Sequence, residues 1–91
     1  MIHLKNIIPI IILLVEEWSV EDVVLWAADV AKFGIEDQAI LRNKKVDGGA
    51  LVEIFTLEQL KSVDVTGGPA IKLLAAIHKL RAAVLAEGNY Y

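Results

Sequence analysis

Few side chains in this sequence belong to the types that carry out covalent chemistry. The candidate nucleophiles and bases are two serines, two threonines and two histidines: Ser19, Ser62, Thr56, Thr66, His3 and His78. A catalytic nucleophile needs a positioned base beside it. Ser19 is better explained as a helix cap, because the acidic residues Glu21 and Asp22 follow it. We therefore expect a protein that is not an enzyme.

Metal and nucleotide sites also lack their usual residue patterns. The chain has no cysteine, its two histidines lie far apart, and no carboxylate-histidine spacing suits a metal, so we expect neither a metal nor a cofactor. Thr66-Gly67-Gly68-Pro69 precedes an apolar segment and could present amide groups to an anion. It lacks the Lys-Ser/Thr pair of a phosphate-binding loop. We interpret it as a turn before the last helix, where a carboxylate of another protein fits better than a nucleotide.

The length and charge of the chain limit its class. Ninety-one residues suffice for one domain with a modest core. A formal net charge of -3 argues against a general phosphate-binding surface, because non-specific nucleic-acid binding requires many neutralised phosphates. Arg42, Lys44 and Lys45 form a short basic loop that leaves a local patch for nucleic acid or anionic lipid as an alternative.

The N-terminal segment is strongly apolar. The run Ile7 to Val15 is shorter than the roughly 20 residues that a membrane-spanning helix needs. It is rich in β-branched residues, which favour an extended conformation. We predict a separate extension over residues 1–15. It either packs on the domain, binds a partner as a strand, is a truncated membrane anchor, or forms an aggregation-prone zipper.

Helix signals recur along the rest of the chain. Ser19 predicts a first helix that begins at Val20. The spacing of its apolar residues predicts one buried stripe, which consists of Val20, Val23, Val24, Ala27 and Val30. We expect Phe33-Gly34-Ile35 to end the helix, because glycine tolerates the left-handed conformation. A second helix is predicted over Glu36 to Asn43 with Ile40 and Leu41 inward.

Three further helices are predicted. Asp47 is expected to cap a short helix over Gly48 to Ile54, with Ala50, Leu51 and Ile54 as its apolar side. Thr56 and Gln59 form a capping-box sequence, which predicts a helix from Leu57 to about Val63 that buries Leu57, Leu60 and Val63. Pro69 suits a first helical turn, so the last helix is expected from Pro69 to about Ala86.

An ordered set of residues in this chain resembles the sterile alpha motif (SAM) domain. The resemblance covers residues 17–81 and rests on these positions in order: Trp18 with Ser19 and Val23, Trp26, Leu41, Val46-Asp47-Gly48, Ala50-Leu51, Leu57 through Leu60, Val65, Gly68, and Ile71 to Leu80. It implies an all-α fold, a small five-helix bundle at residues 16–86, between the apolar N-terminal extension and a tail at residues 87–91.

The resemblance also implies a binding function. SAM domains typically self-associate or pair with other SAM domains through an acidic mid-domain surface and a surface at the start of the last helix. Carried onto this chain, the first surface contains Asp47, Glu53 and Glu58, and the second contains Gly67, Gly68, Lys72 and Lys79. The charge pattern independently permits head-to-tail contacts, because Lys72 and Lys79 share one face of the last helix while acidic residues occupy the middle of the chain.

Two departures from the family pattern bear on the second surface. The family often has basic residues after the glycine, where this chain has Pro69-Ala70, and Asp64 occupies a position that is commonly glycine. Some SAM domains bind RNA hairpins through that helix, but only Lys72 is basic in its first turn here, so RNA binding ranks below protein binding. We expect a scaffold or signalling adaptor in the cytoplasm that forms homo-oligomers or pairs with another SAM-domain protein. Membrane contact through residues 1–15 is the remaining alternative.

Overall fold

The computed structural model describes the backbone of residues 15–89 and the side chains of residues 15–83. Over this range the chain forms a 3₁₀ turn and five α-helices, with no β-strand, and the predicted small helical bundle is confirmed at this level. In chain order these are the 3₁₀ turn Val15–Glu17, α1 Val20–Val30, α2 Ile35–Asn43, α3 Gly48–Leu51, α4 Leu57–Ser62 and α5 Gly67–Asn89. Of the predicted N-terminal extension only Val15 is described, and Tyr90 and Tyr91 of the predicted tail lie outside the described residues.

Helix α1 begins as the sequence predicts. Ser19 Oγ accepts from the Asp22 amide at 3.1 Å, and Asp22 Oδ2 accepts from the Ser19 amide at 3.0 Å, which satisfies two amides that have no partner within the helix. Val23 and Val24 are buried as expected, but Val30 is 45% exposed, so its predicted burial is wrong. The helix ends at Val30, and Phe33 enters the core after the turn instead.

The residue that reverses the chain after α1 is a lysine and not the predicted glycine. Lys32 has a φ of 56°, whereas Gly34 has a φ of -80° and serves as the N-cap of α2. A left-handed lysine is unfavourable by roughly 1–2 kcal/mol. The turn places Phe33 in the core and lets its amide donate to the Ala27 carbonyl at 3.3 Å, which offsets that strain.

Helices α2 and α4 end in the same way. After α2 the Val46 amide donates to the Leu41 carbonyl at 3.0 Å, and after α4 the Val65 amide donates to the Leu60 carbonyl at 2.9 Å. This is the Schellman arrangement, in which the residue just before the donor amide has a left-handed conformation. That residue is Lys45 after α2 (φ 55°) and Asp64 after α4 (φ 66°).

Helix α3 is shorter than predicted. Asp47 caps it, since its Oδ1 accepts from the Ala50 amide at 2.9 Å, but the helix ends at Leu51 and not at Ile54. The carbonyls of Val52 and Ile54 accept hydrogen bonds from Arg81 of α5, which holds this stretch as a turn. Leu51 and Ile54 are buried as expected, whereas Ala50 is exposed.

Helix α4 has the predicted capping box between Thr56 and Gln59. Leu60 is fully buried and Val63 is partly buried, but Leu57 is 46% exposed, so its predicted burial is wrong. Leu57 is the first residue of the helix and lies at a cleft beside α5.

Helix α5 begins earlier than predicted. Gly67 and Gly68 belong to its first turn, and Gly67 has a φ of 68°, which disfavours any side chain there. The predicted turn at these glycines is therefore the helix start itself, and the backbone continues to Asn89, beyond the expected end near Ala86.

One hydrophobic core joins these elements. Helix α1 packs against α2, α3 and α5, α4 packs against α5, and the 3₁₀ turn packs against α3. The largest fully buried side chains are Leu41, Leu51, Leu60, Leu73, Ile77, Val23, Val24 and Val65. Val15 belongs to the same core. No helix within residues 15–89 is both long enough and apolar enough to cross a bilayer.

Candidate interaction surfaces

A groove with a volume of about 590 Å³ lies between α1 and α5, and we call it the α1–α5 groove. Its lining consists of Trp26, Val30, Lys72, Ala75, Ala76, Lys79 and Leu80. The cause is a difference in side-chain size: α5 presents Ala75 and Ala76 where α1 presents the bulky Trp26. The lining therefore combines apolar side chains of both helices with two lysines of α5.

The two lysines of the groove stand two helical turns apart. Residues seven positions apart on an α-helix share a face and are separated by about 10.5 Å along its axis. Lys72 and Lys79 are both exposed, and neither takes part in an ion pair among the residues whose side chains are described. The structure therefore places these two predicted site residues on one surface, where their ammonium groups are accessible to the carboxylates of a partner.

Trp26 packs against the ring of Trp18. The centroids of the Trp26 and Trp18 rings lie 5.9 Å apart, and the two ring planes make an angle of 58°. Aromatic pairs favour such a tilted arrangement. The Trp18 carbonyl in turn accepts from the Gly48 amide at 2.9 Å. Helix α3 therefore supports the wall of the α1–α5 groove through the two tryptophans.

A second, smaller concavity of about 270 Å³ lies between α4 and the start of α5, and we call it the α4–α5 cleft. It is lined by Leu57, Glu58, Lys61, Val65, Thr66, Gly67, Ala70 and Ile71. Ile71 is 60% exposed at its edge. Glu58 and Gly67 both line this cleft, so the two surfaces that the SAM resemblance implies adjoin each other here.

The three acidic site residues differ in their availability. Asp47 uses one carboxylate oxygen to cap α3. Glu53 and Glu58 are exposed, and no ion pair or hydrogen bond engages their carboxylates among the residues whose side chains are described. The acidic charge available for a partner therefore comes mainly from Glu53 and Glu58.

Arg81 of α5 is a structural residue to which the sequence assigned no role. Its Nη2 donates to the Ile54 carbonyl at 2.6 Å and to the Val52 carbonyl at 3.3 Å. Its guanidinium lies 4.0 Å from the centroid of the Phe55 ring, a cation–π distance. Arg81 thereby fixes the segment that carries Glu53 between α3 and α4. Nothing in the spacing of Arg81 distinguishes it from Lys72 and Lys79 on the same helix, so the sequence carried no signal for this role.

The basic loop after α2 is largely occupied by internal ion pairs. Arg42 forms a bidentate ion pair with Glu21 of α1, in which Nε donates to Oε2 at 3.0 Å and Nη2 donates to Oε1 at 2.7 Å. Lys44 Nζ lies 3.1 Å from Asp64 Oδ2. The hydrogen bond from Arg42 lowers the pKa of Glu21, and the same bond raises the pKa of Arg42. Of the three cations in this loop, only Lys45 is without an ion pair among the described side chains, which weakens the loop as a phosphate-binding patch.

Within the described residues, no group of three or more histidine, aspartate or glutamate side chains is placed to hold a metal ion. A search of protein-family models, curated proteins and solved structures finds no match to this chain.

Proposed function

We propose that this chain is a protein–protein interaction module of the SAM type. In this proposal it self-associates, or pairs with another SAM domain, by joining the acidic mid-domain surface of one molecule to the start of the last helix of another. Asp47, Glu53 and Glu58 supply the first surface. Gly67, Gly68, Lys72 and Lys79 supply the second.

The order and positions of the helices support the resemblance. Each helix read from the sequence is present within a few residues of its expected position. The departure at Asp64 is also accommodated, because its φ of 66° is the conformation that glycine favours. A glycine and this aspartate can therefore serve the same helix end.

The observation that carries the proposal is the set of exposed charges without internal partners. Glu53 and Glu58 in the first surface, and Lys72 and Lys79 in the second, are exposed and unpaired among the described side chains, and the two sets have opposite signs. Complementary patches steer association and fix its register. Two different surfaces that meet head to tail produce an open chain of copies unless the rotation between them closes a ring.

The proposal is tested by mixing two charge-reversed variants of the full chain. Glu53→Lys inactivates the acidic surface and Lys72→Glu inactivates the basic one, so we expect each variant alone to have a lower molar mass than the wild type in light scattering. In an equal mixture the intact surface of each variant can still bind the other, and we expect capped pairs to form.

Lys45→Glu is the matched control, because Lys45 is an exposed lysine outside both surfaces. We expect it to leave the molar mass unchanged, since it changes the net charge as much as Lys72→Glu does. If the two single variants keep the wild-type mass, or if the control lowers it equally, head-to-tail association through these surfaces is refuted.

A further inference from the structure

The outer face of α1 carries a pattern that none of the surfaces above uses. Asp22, Leu25 and Asp29 are all exposed and stand at i, i+3 and i+7, so they share one face of the helix. Leu25 is 65% exposed and lies on the side of α1 opposite its buried residues Val23, Val24 and Ala27. This face is a bulky apolar residue between two carboxylates, of which Asp22 also accepts from the Ser19 amide through Oδ2.

The α1–α5 groove presents the complement of this pattern. Lys72 and Lys79 are separated by the same seven residues as Asp22 and Asp29, and between the lysines lie the small side chains Ala75 and Ala76. A large side chain can pack into the space beside small ones on a facing helix, and opposite charges at matching separations fix the register of such a contact. The match holds whether the two helices run parallel or antiparallel, because both patterns are nearly symmetric about their centres.

Asp29 adds an electrostatic reason. It lies in the last turn of α1, where the helix dipole disfavours a carboxylate, and no cation pairs with it among the described side chains. Lys72 and Lys79 likewise have no ion-pair partner among the described side chains. Asp29 is therefore placed unfavourably within its own helix and would be stabilised by a lysine of a partner.

We infer that the α1–α5 groove holds helix α1 of a second copy of this chain, through Leu25 against Ala75 and Ala76. Trp26 and Val30, each next in sequence to Leu25 and Asp29, form the α1 wall of the groove, so the acidic face and the groove are neighbours on one molecule. A two-fold axis then forms the same contact twice and closes the assembly at a dimer. This dimer goes beyond the proposed function, because the outer face of α1 replaces the acidic mid-domain surface as the partner of Lys72 and Lys79.

The test is cross-linking between single-cysteine variants of the full chain, which has no cysteine of its own. We expect a disulfide to form when Leu25→Cys is mixed with Ala75→Cys, since the two residues face each other in either helix direction. Ile35→Cys is the control, because Ile35 is also apolar and even more exposed, at 83%, but lies at the start of α2. We expect it to form no such link with Ala75→Cys.

A charge reversal at the far end of the groove provides the second measurement. Lys79→Glu in the Ala75→Cys chain should weaken the contact about tenfold, equivalent to about 1.4 kcal/mol, and reduce the cross-link accordingly. Glu53→Lys should leave it unchanged. Equal cross-linking from Ile35→Cys, no cross-link from Leu25→Cys, or a link insensitive to Lys79→Glu each overturns the dimer. Glu53→Lys alone separates the two proposals, because only the proposed function uses Glu53. If the cross-link fails while Glu53→Lys lowers the molar mass, the proposed function stands alone; if the cross-link forms while Glu53→Lys keeps the wild-type mass, only the dimer stands.

Discussion

Gly48 is the position where a single methyl group should cost the most stability. A Cβ atom at Gly48 would lie 1.8 Å from the Val15 carbonyl oxygen and 2.9 Å from both the Trp18 Cβ and the Trp18 amide nitrogen. Two of these three atoms are backbone, so they cannot move aside by changing a rotamer. Gly48→Ala must therefore push the 3₁₀ turn Val15–Glu17 away from α3.

The size of the effect follows from three contributions. Overpacking of a filled site costs about 1–3 kcal/mol. Separation also strains or breaks the 2.9 Å hydrogen bond from the Gly48 amide to the Trp18 carbonyl, and an unsatisfied buried group costs about 1–3 kcal/mol. The better helix propensity of alanine returns at most about 1 kcal/mol. We expect Gly48→Ala to lower the free energy of unfolding by about 2–4 kcal/mol.

The neighbouring glycine provides a matched control. A Cβ at Gly49 would meet the Asp47 Oδ1 at 3.5 Å and the Glu16 carbonyl at 4.0 Å, which are ordinary contacts. Gly49→Ala should therefore leave the fold intact and raise stability by roughly 0.4–1 kcal/mol, because alanine restricts the unfolded chain.

Urea denaturation followed by tryptophan fluorescence measures both variants, and it also reports locally because Trp18 lies at the contact. We expect the midpoint to fall for Gly48→Ala and to rise slightly for Gly49→Ala. Equal midpoints for the two variants would refute the close approach of the 3₁₀ turn to α3.

Three further expectations concern the contacts that hold the helices. Arg81→Met should lower the free energy of unfolding by about 2 kcal/mol in urea denaturation, because two partly buried carbonyls lose their donor and Phe55 loses its cation; an unchanged midpoint would contradict the clamp. Lys45→Gly should raise it by about 0.5 kcal/mol, since Lys45 has a left-handed φ of 55°, and a loss in thermal denaturation would show that the strain is absent. The hydrogen bond from Arg42 lowers the pKa of Glu21. This pair therefore stabilises the fold at any pH above the ordinary pKa of a glutamate, and its stabilisation is lost as the pH falls through the lowered pKa. Glu21→Gln should therefore reduce the acid sensitivity of the melting temperature, and an unchanged pH profile would count against the pair.

The helix starts were predictable because their signals are local. Ser19, Asp47 and Thr56 each cap a helix through their own side chain within three residues, so the sequence alone contains both partners. The helix ends were less predictable. Lys32 takes a left-handed conformation because the buried Phe33 after it requires the turn, and that requirement arises from tertiary packing.

The surfaces were predictable only in part. The shared face of Lys72 and Lys79 follows from their spacing alone. The groove beside them depends on α1 packing against α5, two helices far apart in sequence, so no local pattern shows it. The clamp by Arg81 likewise depends on distant residues, because Ile54 and Val52 precede Arg81 by 27 and 29 positions. Exposure of Leu57 follows from the direction in which α4 meets α5, which the periodicity of a short helix does not define.

The most direct test of the central claim is the molar mass of the full chain by light scattering across a concentration series. If the domain is an interaction module that binds its own copies through charged surfaces, the mass rises above the 10.0 kDa of one chain as concentration increases. It should return toward that value when Glu53→Lys and Lys79→Glu are combined in one chain. A mass that stays at 10.0 kDa at every concentration, or a rise that this double variant leaves unchanged, would contradict self-association through these surfaces.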